Sequence, residues 1–226
     1  SPDMRLQRIA GGGNNETRIM IGSGRAQVKV ETSPVGRGTV LAPQSLRVAD
    51  AVEDTFGFAE MQVVAFEDLY GGKLHAALDR QHPRDFYDVK LLYENEGLPD
   101  SLFRVFLVYV SASGRPMHEL LAPARSSIEA LYTEEFVGMT RDVVSLEELE
   151  AVRVRLLDDI RARLTGNAAT FLLSLHDADP DFGLIGFPDA ERLPAVQWKL
   201  LNLRKLKADN PRKHVEQRAL LKALIG

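Results

Sequence analysis

From Phe66 to Leu224 apolar residues return every three or four positions almost without a break, which restricts most of the chain to packed helices. The spacing predicts helices over Phe66–Arg80, Pro83–Glu94, Asp100–Ser111, Pro116–Leu121, Ser126–Glu134, Leu146–Leu164, Ala168–Leu175, Pro194–Lys207 and Pro211–Leu224. The sixth is the best marked. Ser145 and Glu148 have capping-box spacing, Val144 and Leu149 can staple the entry, and Gly166 follows the end. Its Leu149, Val152, Leu156, Leu157, Ile160 and Leu164 form a core-facing stripe. Before Phe66 the period changes. Arg18–Ile21 and Gln27–Thr32 are β-prone runs around the turn residues Gly22-Ser23-Gly24-Arg25, so a hairpin is expected, with further strands at Thr39–Leu41 and Met61–Ala65. Pro2–Ala10 reads as a short helix closed by Gly11-Gly12-Gly13-Asn14-Asn15, a flexible link, and Ser45–Thr55 as weakly helical or irregular. Strands first and helices after make an α+β chain with a helical C-terminal half.

The chain has 226 residues and a 45% hydrophobic share, enough for one large domain or two small ones with a sizeable core. Its net charge of -4 gives no global sign of a nucleic-acid coat. The charge is unevenly distributed, because Lys199–Lys222 carries eight basic residues against two acids. The absence of cysteine removes disulfide and thiolate-metal chemistry and fits the cytosol. The longest apolar run, Val105–Val110, is far short of the roughly 18 residues that a membrane span needs. A start at Ser1-Pro2 without methionine points to a processed or truncated N-terminus.

The chemistry concentrates in EDLYGGKLHAALDRQHPRDFYD, from Glu67 to Asp88. On a helical wheel Phe66, Leu69, Tyr70, Leu74, Ala77 and Leu78 form one apolar stripe with Lys73 inside it and Arg80 close by, while Asp68, His75 and Asp79 fall on the solvated side. An ammonium drawn out of water needs a carboxylate, carbonyls or a bound anion. Pro83 ends the first helix and suits the first position of the next, where Asp85 and Asp88 share a face able to hold a cation, receive an arginine or orient Lys73. Gly71 and Gly72 weaken the helix by up to about 1 kcal/mol each and fit a closely packed neighbouring backbone. Two readings stay open at this point: an anion site at Lys73, and an ion-pair network joining two helices.

LYGGKLHAALDRQHPRDFYDVKLL resembles the lysine, arginine and arginine-aspartate block of the AbiEii/AbiGii toxin family of nucleotidyltransferase-like proteins. QVKVE resembles an upstream strand of the same family, and LPAVQWKLLNLRKL resembles the tail of one subgroup. The resemblance implies a nucleotidyltransferase-like small mixed sheet with flanking helices over residues 1–95 and a helical C-terminal domain over 96–226. It implies a toxin of a two-gene toxin–antitoxin or phage-defence system that binds a nucleoside triphosphate with Mg²⁺, some relatives modifying tRNA. Lys73 and Asp85 match the late-motif lysine and aspartate, Arg80 and Arg84 stand as phosphate-binding neighbours, Asp88 supports them, and Glu31 matches a metal-holding carboxylate. Nucleotidyl transfer uses carboxylate-bound metal ions to activate a hydroxyl and cations to neutralise the phosphates. The family's Gly-Ser turn followed by two aspartates spaced by one residue has no counterpart in this chain. The site is therefore expected to be partial, its other half lying outside this chain or no longer existing. A different class of function stays open beside this one: a degenerate, non-enzymatic helical module binding protein or RNA.

Elsewhere, Trp198 reads as a packing residue, with a base or a partner as the sharper alternative. The basic run from Lys199 could follow an RNA backbone or be a solvated helix pair. Asp177, Asp179 and Asp181 read as a turn around Pro180, and the five histidines show no metal-ligand spacing. No motif joins serine, histidine and aspartate into a nucleophilic triad.

Overall fold

A computed structural model describes residues 4–10, 16–24, 26–31 and 38–225. The expectations for Ser1-Pro2, the Gly11–Asn15 link, Arg25 and Thr32 concern residues outside those described. The chain divides at Arg37 and Gly38 into two compact units.

The first unit holds an antiparallel sheet of β1 (Met4–Ala10), β2 (Glu16–Ser23) and β3 (Ala26–Glu31), in that order. The expected helix at Pro2–Ala10 is corrected to strand β1. Met4 and Leu6 alternate with Arg5 and Gln7, a period of two that suits a sheet with one apolar face. In register, Leu6 pairs with Ile21 and Ile21 with Val28, placing three apolar residues across one face. The expected hairpin is present. Ser23 pairs with Ala26, and Gly24 takes the positive φ of 57° that such tight connections require.

The second unit opens with β4 (Gln44–Arg47) and β5 (Glu60–Val63), an antiparallel pair connected through α1 (Asp50–Phe56). Thr39–Leu41, expected as a strand, is a bend, because the N–H groups of Val40 and Leu41 donate to the Asp68 carboxylate instead of to a neighbouring strand. The helices are α2 (Phe66–Arg80), α3 (Pro83–Asn95), α4 (Asp100–Ser111), α5 (Met117–Leu121), α6 (Glu129–Leu131), α7 (Leu146–Arg163), α8 (Gly166–His176), α9 (Pro194–Asp209) and α10 (Pro211–Leu224). A single π-helical turn, Tyr132–Phe136, continues α6, and two 3₁₀ turns, Phe182–Ile185 and Pro188–Arg192, connect α8 to α9. The α+β class is as expected, and both described sheets are antiparallel.

α4 packs along α2, and α3 packs on α7. The core they share includes Leu74, Ala77 and Leu78 of α2, Phe86 and Val89 of α3, Leu102 and Phe106 of α4, and Leu149, Leu156 and Ile160 of α7. The α7 capping box is complete, with Glu148 N–H donating to Ser145 Oγ at 3.1 Å and Ser145 N–H donating to Glu148 Oε2 at 2.7 Å.

α10 is fastened to the end of α8 by two buried histidines. Nε2 of His176 lies 3.0 Å from the carbonyl oxygen of His214, Nε2 of His214 lies 3.0 Å from the carbonyl of His176, and the rings are 4.4 Å apart. Arg218 adds a two-pronged pair to Asp177, at 2.8 and 2.9 Å. Burial holds the His176 imidazole below its ordinary value of 6.5. The unfolded chain therefore takes up this proton first as pH falls, so the stability carried by the pair is complete above about pH 6.5 and declines as pH drops through that value. The urea midpoint is expected to fall between about pH 7.5 and pH 5.5, and to fall less in His176→Gln; equal falls in both proteins would contradict the assignment.

Candidate functional site

The corner between α2 and α3 is set by local chemistry. Gln81 caps α2 with a left-handed backbone, φ 52°, and its side-chain Nε2 donates to the Ala124 carbonyl at 2.9 Å. Pro83 then opens α3, with His82 as its N-cap accepting from Arg84 N–H at 3.1 Å.

The buried face of α2 differs from the one that the wheel predicts. Asp68 is only 2% exposed and His75 is buried, whereas Leu69 is 42% exposed. The cause is the glycine pair. A Cβ on Gly71 would lie 3.0 Å from Tyr109 Cδ2 and 3.2 Å from Val105 Cγ1, and one on Gly72 would lie 3.4 Å from Tyr109 Cε1. The neighbour that needs the glycines is thus the Tyr109 ring of α4, not a backbone. With α4 drawn in there, the line Asp68, Gly71, His75 and Leu78 turns inward. Asp68 is satisfied by Val40 N–H and Leu41 N–H, both at 2.8 Å, and by Tyr109 O–H at 3.0 Å.

Lys73 consequently sits at the rim, its side chain 30% exposed, with Nζ 2.5 Å from Asp88 Oδ2. Asp85 is buried and engages Arg80, accepting from Nη2 at 2.5 Å and Nε at 3.2 Å. The carboxylate that holds Lys73 is therefore Asp88, and Asp85 orients Arg80. Arg84 Nη2 donates to Glu135 Oε2 at 2.8 Å, and His82 Nε2 stands 3.3 Å from the same oxygen. Hydrogen bonds from His82 and Arg84 pull the Glu135 carboxyl below its ordinary range. Glu31 ends β3 in the first unit, where its backbone pairs with Arg18. The structure thus brings Lys73, Arg80, Arg84, Asp85 and Asp88 together between α2 and α3 and adds His82 and Glu135, for which the sequence reading assigned no role at the site. His82 carried a local signal, since it immediately precedes the helix-opening Pro83. Glu135, more than fifty residues from Arg84, carried none.

A cationic rim whose carboxylates orient the cations suits an anion. It does not suit a divalent cation, because Asp85 and Asp88 each already serve a base and no group of three or more His, Asp or Glu able to hold a metal occurs among the described residues.

On α9 the packing expectation for Trp198 is corrected: the indole is 64% exposed. Lys199 beside it is buried and donates to the Arg115 carbonyl at 2.6 Å, with burial pulling its ammonium down to about 8. Arg218 pairs with Asp177, while Arg204, Lys205, Lys207, Arg212, Lys213 and Lys222 are exposed on α9 and α10, Arg212 pairing with Glu216 and Lys207 donating to the Asp177 carbonyl at 3.3 Å.

The described residues thus form a strand region followed by a helical body that carries a corner of lysine, arginine and aspartate side chains. The family described as nucleotidyl transferase AbiEii toxin, Type IV TA system, matches residues 3–202, and the chain belongs to this family. Neither the curated proteins nor the solved structures gave a match. α10 lies beyond the matched residues.

The glycine contacts make opposite predictions for adjacent positions. Gly71→Ala is expected to destabilise by about 1–2 kcal/mol, overpacking being partly offset by helix propensity, whereas Gly72→Ala is expected to be neutral or stabilising by up to about 1 kcal/mol. Urea unfolding of both variants checks this, and equal effects would refute the Tyr109 contact as the cause.

Proposed function

We propose that this protein transfers a nucleotide from a nucleoside triphosphate to an acceptor such as tRNA, as the toxin of a toxin–antitoxin or phage-defence pair, with the α2–α3 corner holding the phosphates. The observation that carries the reading is the state of the cations. Lys73 and Arg80 are each oriented by a carboxylate of α3 yet keep exposed surface, so an incoming phosphate finds them already aimed. In this reading Lys73, Arg80 and Arg84 neutralise phosphate, Asp85 fixes Arg80, and Asp88 steadies Lys73. Positioned cations of this kind stabilise the charge that spreads over the transferring phosphoryl group.

Mg²⁺ belongs to the reading with Glu31 as its carboxylate, and no step at the corner depends on it. The chain lacks the two-aspartate strand motif, so the corner is read as part of an active site. The acceptor RNA would follow the exposed cations of α9 and α10, where Trp198 offers a stacking face. An antitoxin is the expected protein partner. No described helix is long and apolar enough to cross a membrane, and the cytoplasm is the proposed location.

The test is Mg²⁺-dependent transfer of label from a nucleoside triphosphate to tRNA. Lys73→Ala is expected to reduce transfer by about tenfold to a hundredfold, the range for loss of one charge-assisted hydrogen bond. Undiminished transfer in that variant would overturn the assignment of Lys73.

A further inference from the structure

Arg84 is a phosphate-binding residue in the reading above, yet it already holds an anion. Its Nη2 donates to Glu135 Oε2 at 2.8 Å, and His82 Nε2 approaches the same oxygen at 3.3 Å. The tautomer follows from the cap. His82 Nδ1 accepts from Arg84 N–H, so the ring proton of the neutral imidazole is on Nε2, which donates to Glu135. Two donors thus converge on one carboxylate oxygen, the same demand that a phosphate oxygen would meet.

Glu135 is delivered to this position by an anchored segment. It lies on the π-helical turn Tyr132–Phe136, whose Phe136 is buried, with ring centroids 5.6 Å from Tyr87 of α3 and 5.7 Å from Tyr132. Tyr132 O–H in turn donates to the Val144 carbonyl at 2.8 Å. The carboxylate itself is not buried: its side chain is 45% exposed and that of Arg84 51%. Both can therefore exchange partners without opening the core. The remaining carboxylates of the corner cannot substitute for Glu135, since Asp85 is held by Arg80 and Asp88 by Lys73.

We infer that Glu135 is an internal competitor for the phosphate that Arg84 receives. With no ligand bound, it fills the Arg84–His82 site and keeps the arginine oriented. A bound polyphosphate displaces it, and the displacement lowers the affinity of the corner. This inference rests on the phosphate-binding reading of Lys73, Arg80 and Arg84.

The experiment is calorimetric titration of inorganic triphosphate into the wild-type chain, Glu135→Gln, Arg84→Ala and the double variant. Glu135→Gln keeps the shape and removes the charge. It is expected to bind triphosphate about two- to fivefold tighter than wild type, the range that an exposed ion pair commands, with the gain absent when Arg84 is alanine. Wild-type binding with no gain in Glu135→Gln would overturn the competitor role and leave the phosphate reading standing. A gain that persists in the Arg84→Ala background would overturn direct competition, because it would then reflect only the removal of a nearby negative charge. No binding by either wild type or Glu135→Gln would overturn both.

Discussion

The approach of the Tyr109 ring to Gly71 and Gly72 decides how the helical unit is built. Because neither position carries a Cβ, α4 comes close to α2 along a line that a list of large apolar residues would not select. That contact turns Asp68 inward, where it gathers Val40, Leu41 and the Tyr109 hydroxyl, and it leaves Lys73 on the rim. A lysine that hydrophobic patterning places inside an apolar stripe is thus presented beside α3. The same two glycines that weaken α2 locally are what let the Tyr109 ring of α4 lie against it.

Within the corner, each charge has an assigned neighbour: Lys73 with Asp88, Arg80 with Asp85, Arg84 with Glu135. The pairs that keep both partners partly in solvent, Lys73 with Asp88 and Arg84 with Glu135, add little to stability, about 0–1 kcal/mol each. Their consequence is orientation. Three cations held by carboxylates reached from one helix and one anchored turn make a surface that an anion can enter by exchange, without any cation having to be drawn out of solvent at the moment of binding. The membership of the chain in a nucleotidyl transferase toxin family is the ground on which a nucleotide phosphate is proposed as the ligand of that surface.

Much of this architecture could be read from the sequence, and the parts that could not share a physical cause. Helices α2, α4 and α10 begin and end where periodicity and proline placed them, and the Ser145–Glu148 capping box marks the start of α7. These signals are local, as is the glycine turn of the β2–β3 hairpin. β1 is not legible locally, because a short run containing Met4, Leu6 and Ile9 satisfies helical spacing nearly as well as alternation, and only pairing with β2 settles it. Asp68 and His75 were expected in solvent because the wheel counts apolar side chains and gives no weight to a glycine face. Trp198 was expected in the core on residue type alone. Glu135 was invisible, because its partner in α3 is brought near only by the fold.

The most direct test of the account is a crystal structure of the protein soaked with a nucleoside triphosphate and Mg²⁺. The account predicts a phosphate oxygen within hydrogen-bonding distance of Lys73 Nζ, with Arg80 still held by Asp85. Triphosphate bound elsewhere on the molecule, with the Lys73–Asp88 pair unchanged and no phosphate at the α2–α3 corner, would contradict it.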